Sequence, residues 1–178
     1  MKFMPKVLSI KTIHKGRILT IETMEVELKE GRKSLREIIR CPRAVMIVPV
    51  TRDGEYVLTR QYRAPLNDFN LEFPAGVLED NEDPAECARR ELQEETGYTA
   101  GRVTAVGQIL ASEGMIDQKL YIFLAEDLTP GEQQLEGEED IAVEKYSLPQ
   151  LIQMINQGKI KGANSLSSLL LAQNYKKE

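Results

Sequence analysis

Tryptophan is absent from this 178-residue chain, histidine occurs once and cysteine only twice. A single imidazole, at His14, argues against a histidine-based catalytic triad and against a His-rich zinc site. Any acid–base work therefore falls to carboxylates, Lys or Tyr. His14 itself lies in a strand-like N-terminal segment and reads as an exposed strand position. Cys41 and Cys87 show no metal-ligand spacing and no disulfide framework, which fits a reducing compartment. No apolar run reaches the roughly 20 residues of a membrane span. The opening "MKFMPKVLSIKTIHKG" has no long apolar core of a secretion signal, so the expectation is a cytoplasmic protein without a membrane partner. Basic clusters are missing too: none is longer than "NYKKE", which argues against nucleic acid held through its phosphates.

What is present is an ordinary globular composition, 42% apolar and 29% charged, long enough for one domain with a small appendage. Residues 6–41 read as extended. "RILTIETMEVEL" alternates apolar and polar, "KEGRK" supplies a turn and "SLREIIRC" returns as a second strand. "AVMIVPV" suits a central strand, Asp53-Gly54 a hairpin turn, and "YVLTRQYR" the returning strand. "APLNDFN" reads as a loop. Farther on, "VTAVGQILA", "KLYIFLAEDL" and "IAVEKYSL" are strand-like, while "LPQLIQMINQGK" and "NSLSSLLLAQNYKK" are helical. Strands covered by helices predict an α/β fold, a mixed sheet in an α/β/α sandwich, preceded by a small N-terminal antiparallel β region. The expected boundary puts residues 1–41 in that region and 42–178 in the main domain.

Charge is the uneven feature. Residues 72–95 carry nine carboxylates and two arginines, a formal −7, whereas the whole chain is −5. A helix from Pro84 to Thr96 is signalled by Asp83 as N-cap, Pro84 in the first turn, Glu86 placed to reach back to the cap, and Gly97 at the end. At about 100° per residue, Ala85, Ala88, Leu92 and Thr96 form the core-facing stripe. Glu91 and Glu95, one turn apart, project together at its border, and Glu94 stands farther round beside Arg90. Two half-buried carboxylates repel each other, and a hard divalent cation would reverse that sign. Helix geometry alone leaves two readings open: a solvated Glu-rich face, or a cation site.

The full spacing separates them. From Gly76 the chain runs five residues to Glu82, seven to Arg90-Glu91-Leu92, then Glu94-Glu95 and Gly97-Tyr98. Seven such identities would coincide by chance roughly once in 10⁸ to 10⁹ starting positions. The pattern resembles the Nudix box, with Tyr98 where an aliphatic residue is more usual. The resemblance implies Mg²⁺, or Mn²⁺, held by Glu91, Glu95 and the Ala75 carbonyl, with Glu94 a further ligand or a supporting catalytic group. It implies that Arg90 and Glu82 brace loop and helix, that Gly76 allows a tight turn, and that Gly97 closes the motif. "LTRQYRAP" followed by "LEFPAG" is similar to the ADP-ribose pyrophosphatase branch. That likeness implies substrate contact by Arg63 and, more weakly, by Arg60, which are read as sharing one strand face. The same likeness implies a homodimer through the N-terminal strands. Glu72 is either near the metal or an ion-pair partner. In the acidic loop, Glu139, or next to it Glu138, would act on the attacking water. Glu113 stands where a proline is usual in that branch, and Gln118 where an acid is, so the substrate is less fixed than the chemistry. The expected reaction is hydrolysis of a nucleoside diphosphate linked to another moiety, ADP-ribose giving AMP and ribose 5-phosphate. A GDP-sugar is the alternative, and a non-catalytic nucleotide-sensing domain a more distant one.

Overall fold

The computed structural model describes residues 3–135, 137 and 140–176. It divides into two compact units, Met1–Arg43 with Leu110–Lys119, and Ala44–Ile109 with Leu120–Glu178.

The first unit is built on β1 (Lys6–Lys15), β2 (Thr20–Glu27) and β3 (Lys33–Arg40), an antiparallel sheet in that order. The turn between β2 and β3 places Glu30 and Gly31 in the left-handed region at φ 63° and 70°. Two strands joined by "KEGRK" agree with the sequence reading, and β1 is a third that pairs with β2. The unexpected member is the segment Leu110–Lys119. Ile39 donates its N–H to the Met115 carbonyl at 2.9 Å, and the Asp117 N–H returns to the Ile39 carbonyl at 3.2 Å. The Asp117 carboxylate then accepts from the Cys41 N–H and from Arg40 Nη1, each at 3.0 Å, and Gln118 Nε2 donates to the Pro42 carbonyl at 3.1 Å. Ten residues expected in the main domain thus belong to the N-terminal unit. Their partners lie more than 70 positions away in sequence, so no local pattern announces the pairing.

The second unit contains β4 (Ala44–Pro49), β5 (Glu55–Arg63), β6 (Asp68–Glu72), β7 (Ala75–Val77), α1 (Pro84–Thr96), all but the last residue of β8 (Tyr98–Leu110), all but the first of β9 (Lys119–Pro130), β10 (Ile141–Ser147), α2 (Leu148–Asn156) and α3 (Ala163–Tyr175). A mixed sheet runs β7-β4-β9-β8, with β4 parallel to β9 and antiparallel to β7. Every residue of β4 is buried, as a strand covered on both faces requires. Val45 and Ile47 pack with Phe123 and Ala125 against Cys87, Ala88 and Leu92 of α1, and α3 also packs on β4. These layers are the expected α/β/α arrangement.

Strand pairing departs from the sequence reading at two places. Asp53-Gly54 does sit in a tight turn, where the Gly54 N–H donates to the Thr51 carbonyl at 3.0 Å. Yet β5 does not return along β4; after a single bridge at Val50 and Tyr56 it joins an antiparallel sheet ordered β10-β5-β6. The stretch "APLNDFN" is not all loop either. A 3₁₀ turn at Ala64–Leu66 and a left-handed Asn67 lead directly into β6. Pro74 then hands the chain to the mixed sheet, its carbonyl accepting the Ile47 N–H at 2.9 Å.

Candidate active site

Helix α1 begins as its caps dictate. Asp83 Oδ1 accepts the N–H of Ala85 at 2.8 Å, Pro84 occupies the first turn, and Gly97 ends the helix at φ 76°. Glu86 pairs outward with Arg89 at 3.7 Å. Cys87, Ala88, Leu92, Glu95 and Thr96 are the buried positions, so the glutamate edge is pressed toward the sheet. Glu95 is only 4% exposed, and its Oε2 accepts the Ala75 N–H at 3.0 Å. Four residues earlier, Glu91 lies against Gly76: a Cβ built there would fall 1.8 Å from its carboxyl carbon and 1.9 Å from Oε1. Gly76 is a residue of β7 with no left-handed φ. The sequence reading of a tight turn is therefore replaced by a different need, room for the Glu91 carboxylate.

Arg90 joins the acidic groups. Its Nε and Nη2 donate to the two oxygens of Glu82 at 2.9 and 3.1 Å, a fork-to-fork pair. Its Nη1 donates to Glu91 Oε1 at 2.7 Å and to Glu94 Oε2 at 2.9 Å. Nη2 also reaches the Val77 carbonyl at 3.3 Å, so one guanidinium fastens helix, loop and β7. Glu82 in turn accepts the Glu79 N–H at 2.9 Å. The Arg90 bonds hold the Glu82 carboxyl down to about 2, while the Glu82 bonds push Arg90 above its usual value. Burial, seconded by Glu82, raises the Cys87 thiol to about 12. Three carboxylates thus share one guanidinium. Among the described residues, no three His, Cys, Asp or Glu side chains converge tightly enough to enclose a metal ion. An all-oxygen pair supplemented by substrate phosphate and water is the habit of Mg²⁺, and Glu91 with Glu95 offers such a pair.

Arg63 donates from Nε to Glu72 Oε1 at 2.6 Å, and Asn70 Nδ2 holds the other Glu72 oxygen at 3.0 Å. Glu72 is thus an ion-pair partner. Arg60 instead meets Glu144 of β10 through Nε and Nη2, with Tyr146 on the same carboxylate. The expectation that Arg60 and Arg63 share a face fails, because they are three residues apart and the pleat repeats every two. Glu113 lies in the first unit, on a groove of about 400 Å³ lined also by Arg36, Arg40, Met115, Asp117 and Lys119. The other candidate positions that the structure describes belong to the second unit. Glu138 and Glu139 fall outside the described residues. Tyr98, unusual for the motif, packs its ring against the α1 core cluster.

Sequence reasoning missed Glu144 as the Arg60 partner and Asp117 as the anchor of Arg40. Alternation in "IAVEKYSL" could have put Glu144 on a polar face, but only the β5–β10 register shows what it meets.

The NUDIX domain model matches residues 41–166. The ADP-ribose pyrophosphatase of Bacillus subtilis (strain 168) is 35% identical over 162 residues, 90% of this chain and 88% of that protein. The methanol dehydrogenase activator of Bacillus methanolicus is 34% identical over 160 residues, 89% of this chain and 86% of that one. A crystal structure of an ADP compounds hydrolase superposes with a TM-score of 0.88 at 27% identity, covering 97% of this chain and 94% of that chain. Because the matched region takes in well over half of the sequence and brackets the whole of α1 with its flanking glycines, the chain belongs to the NUDIX family of hydrolases.

Proposed function

We propose that this chain hydrolyses the pyrophosphate bond of a nucleoside diphosphate linked to another moiety, with ADP-ribose as the first substrate and AMP and ribose 5-phosphate as products. The observation that carries the reading is the placement of half-buried Glu91 and buried Glu95 on one edge of α1, against Gly76 and Ala75. Divalent-metal dependence is general in the family. Mg²⁺, or Mn²⁺, bound by these two carboxylates and the Ala75 carbonyl would supply charge neutralisation between adjacent phosphates. Within that frame, the Ala75 N–H holds Glu95 by one oxygen. Arg90 holds Glu91 and Glu94 and, through Glu82, fixes the loop ahead of the helix. Glu139, or next to it Glu138, would orient the attacking water. Arg63, held by Glu72, would meet substrate phosphate.

Incubating the purified protein with ADP-ribose and Mg²⁺, with and without EDTA, tests the reading by product analysis. Metal-dependent release of AMP is expected. Glu95→Gln should lower turnover by orders of magnitude and leave the melting temperature near that of the wild type. Near wild-type turnover in that variant would show the metal assignment to be wrong. If ADP-ribose stays intact, the assay moves to GDP-sugars.

A homodimer through the N-terminal sheet belongs to the same proposal. Its support is β1, where Val7, Ile10 and Ile13 are all about half exposed. A cytoplasmic setting is supported by the two free thiols. Among the described residues, no helix is long and apolar enough to cross a membrane. One observation favours a second reading: the Bacillus methanolicus relative is named as an activator of a dehydrogenase. Under it, the chain would act upon, or together with, another enzyme.

A further inference from the structure

An α-helix leaves its last four carbonyls without partners of its own. At the end of α1 those belong to Gln93, Glu94, Glu95 and Thr96, which include two of the glutamates of the proposed site. Gly97 caps the first of them, its N–H donating to the Gln93 carbonyl at 2.8 Å. The next two are taken by residues nearly 40 positions on. The Gln134 N–H donates to the Glu94 carbonyl at 3.0 Å, and Gln133 Nε2 donates to the Glu95 carbonyl at 2.6 Å. The same amide also donates to the carbonyl of Ile141, the first residue of β10, at 3.1 Å. Both hydrogens of one amide nitrogen are therefore used, one on the helix end and one on the strand. The backbones beneath touch as well, since a Cβ on Gly97 would fall 2.7 Å from the Gly131 carbonyl oxygen.

We propose that Gln133 is a positioning residue that ties the Glu95 end of α1 to the start of β10 and thereby sets the Glu95 carboxylate for divalent metal. The inference rests on the functional reading above, in which Glu95 is a ligand. The Ala75 N–H holds the Glu95 carboxylate, and Gln133 holds its carbonyl. Loss of the Gln133 bond loosens the Glu95 end of the last helical turn, while the Gly97 and Gln134 bonds still hold the two carbonyls before it. Removing a group that orients a metal ligand typically costs 10–100-fold in metal affinity. Gln133 is itself exposed, so replacing it leaves the buried core intact.

Mn²⁺ binding to the full chain without substrate, followed by electron paramagnetic resonance at pH 7.5, tests this with wild type, Gln133→Met, Gln133→Glu and Glu95→Gln. Gln133→Met keeps the length and removes both donors, and Mn²⁺ affinity is expected to fall about tenfold. Gln133→Glu is the sharper variant. Its added negative charge would by Coulomb attraction tighten Mn²⁺ binding, whereas lost positioning weakens it, so the sign separates the two. Weaker binding in both Gln133 variants, with KM for substrate unchanged at saturating metal, supports the proposal. Unchanged or tighter binding in either, while Glu95→Gln abolishes it, overturns the role of Gln133 and leaves the site standing. If Glu95→Gln binds Mn²⁺ as the wild type does, Glu95 is not a ligand and the role of Gln133 falls with it.

Discussion

Glu82 keeps its charge far below the ordinary carboxyl value of 4.5, down to about 2, because the Arg90 guanidinium grips both of its oxygens. A group depressed in the folded state contributes stability above its unfolded value and loses it as pH falls through the folded one. The Glu82 contribution is therefore complete above about pH 4.5 and vanishes toward pH 2. Urea midpoints measured across that window should fall more steeply in the wild type than in Glu82→Gln, which starts lower and has less to lose. Parallel curves would mean that the pair adds nothing to the folded state. Gly76 permits a separate experiment. Its missing Cβ is filled by the Glu91 carboxyl group, the far end of a flexible side chain. Gly76→Ala should displace that carboxylate rather than unfold the protein, cutting turnover about 10–100-fold with a small change in melting temperature. The effect should be far from additive with Glu91→Gln, since both remove the same group. Additive losses would show that Gly76 matters for another reason.

At the scale of the element, α1 illustrates how local and distant causes divide. Asp83, Pro84 and Gly97 specify where the helix starts and stops, and the spacing of Ala88, Leu92 and Thr96 specifies its buried stripe. What the stripe packs against, and how the C-terminal turn is anchored, come from β4, β9 and residues 131–134. Gly97 belongs to both lists. It adopts φ 76°, and its Cα faces the Gly131 carbonyl with no room for a methyl group. Gly97→Ala should cost about 1–2 kcal/mol for the left-handed backbone alone, and more once the clash is added. Chemical denaturation of that variant gives the number. A loss under about 0.5 kcal/mol would mean that the turn relaxes freely, because alanine there ordinarily costs more than this.

On the scale of the whole molecule, the apolar side chains of β1 set the question of assembly. Val7, Ile10 and Ile13 are exposed on a strand that pairs with β2 alone among the described residues. If that strand forms the proposed dimer contact, Ile10→Glu combined with Ile13→Glu should convert a dimer to a monomer in light scattering coupled to gel filtration. A wild type that runs as a monomer, or a double variant that remains dimeric, removes β1 from the interface.

Sequence alone determined the features whose cause lies within a few residues. The caps and extent of α1, the one-turn spacing of Glu91 and Glu95, and the strand alternation of the N-terminal region follow from periodicity and steric preference, while the Nudix box was legible as a resemblance in the spacing of its identities. Tertiary structure decided whatever depends on chain segments far apart in sequence. The three-residue spacing of Arg60 and Arg63 already sets them on opposite faces, but only the strand pairing showed that they meet Glu144 and Glu72. It also placed β5 outside the mixed sheet and drew Leu110–Lys119 into the N-terminal unit. Only the packing of α1 on β7 revealed that Gly76 makes room for a carboxylate, and only the docking of residues 131–134 gave Gln133 its two carbonyl partners. The physical reason is common to all of these. A hydrogen bond or a steric fit between residues of different elements, here from 8 to 84 positions apart, leaves no periodic trace in the local sequence that forms either side of it.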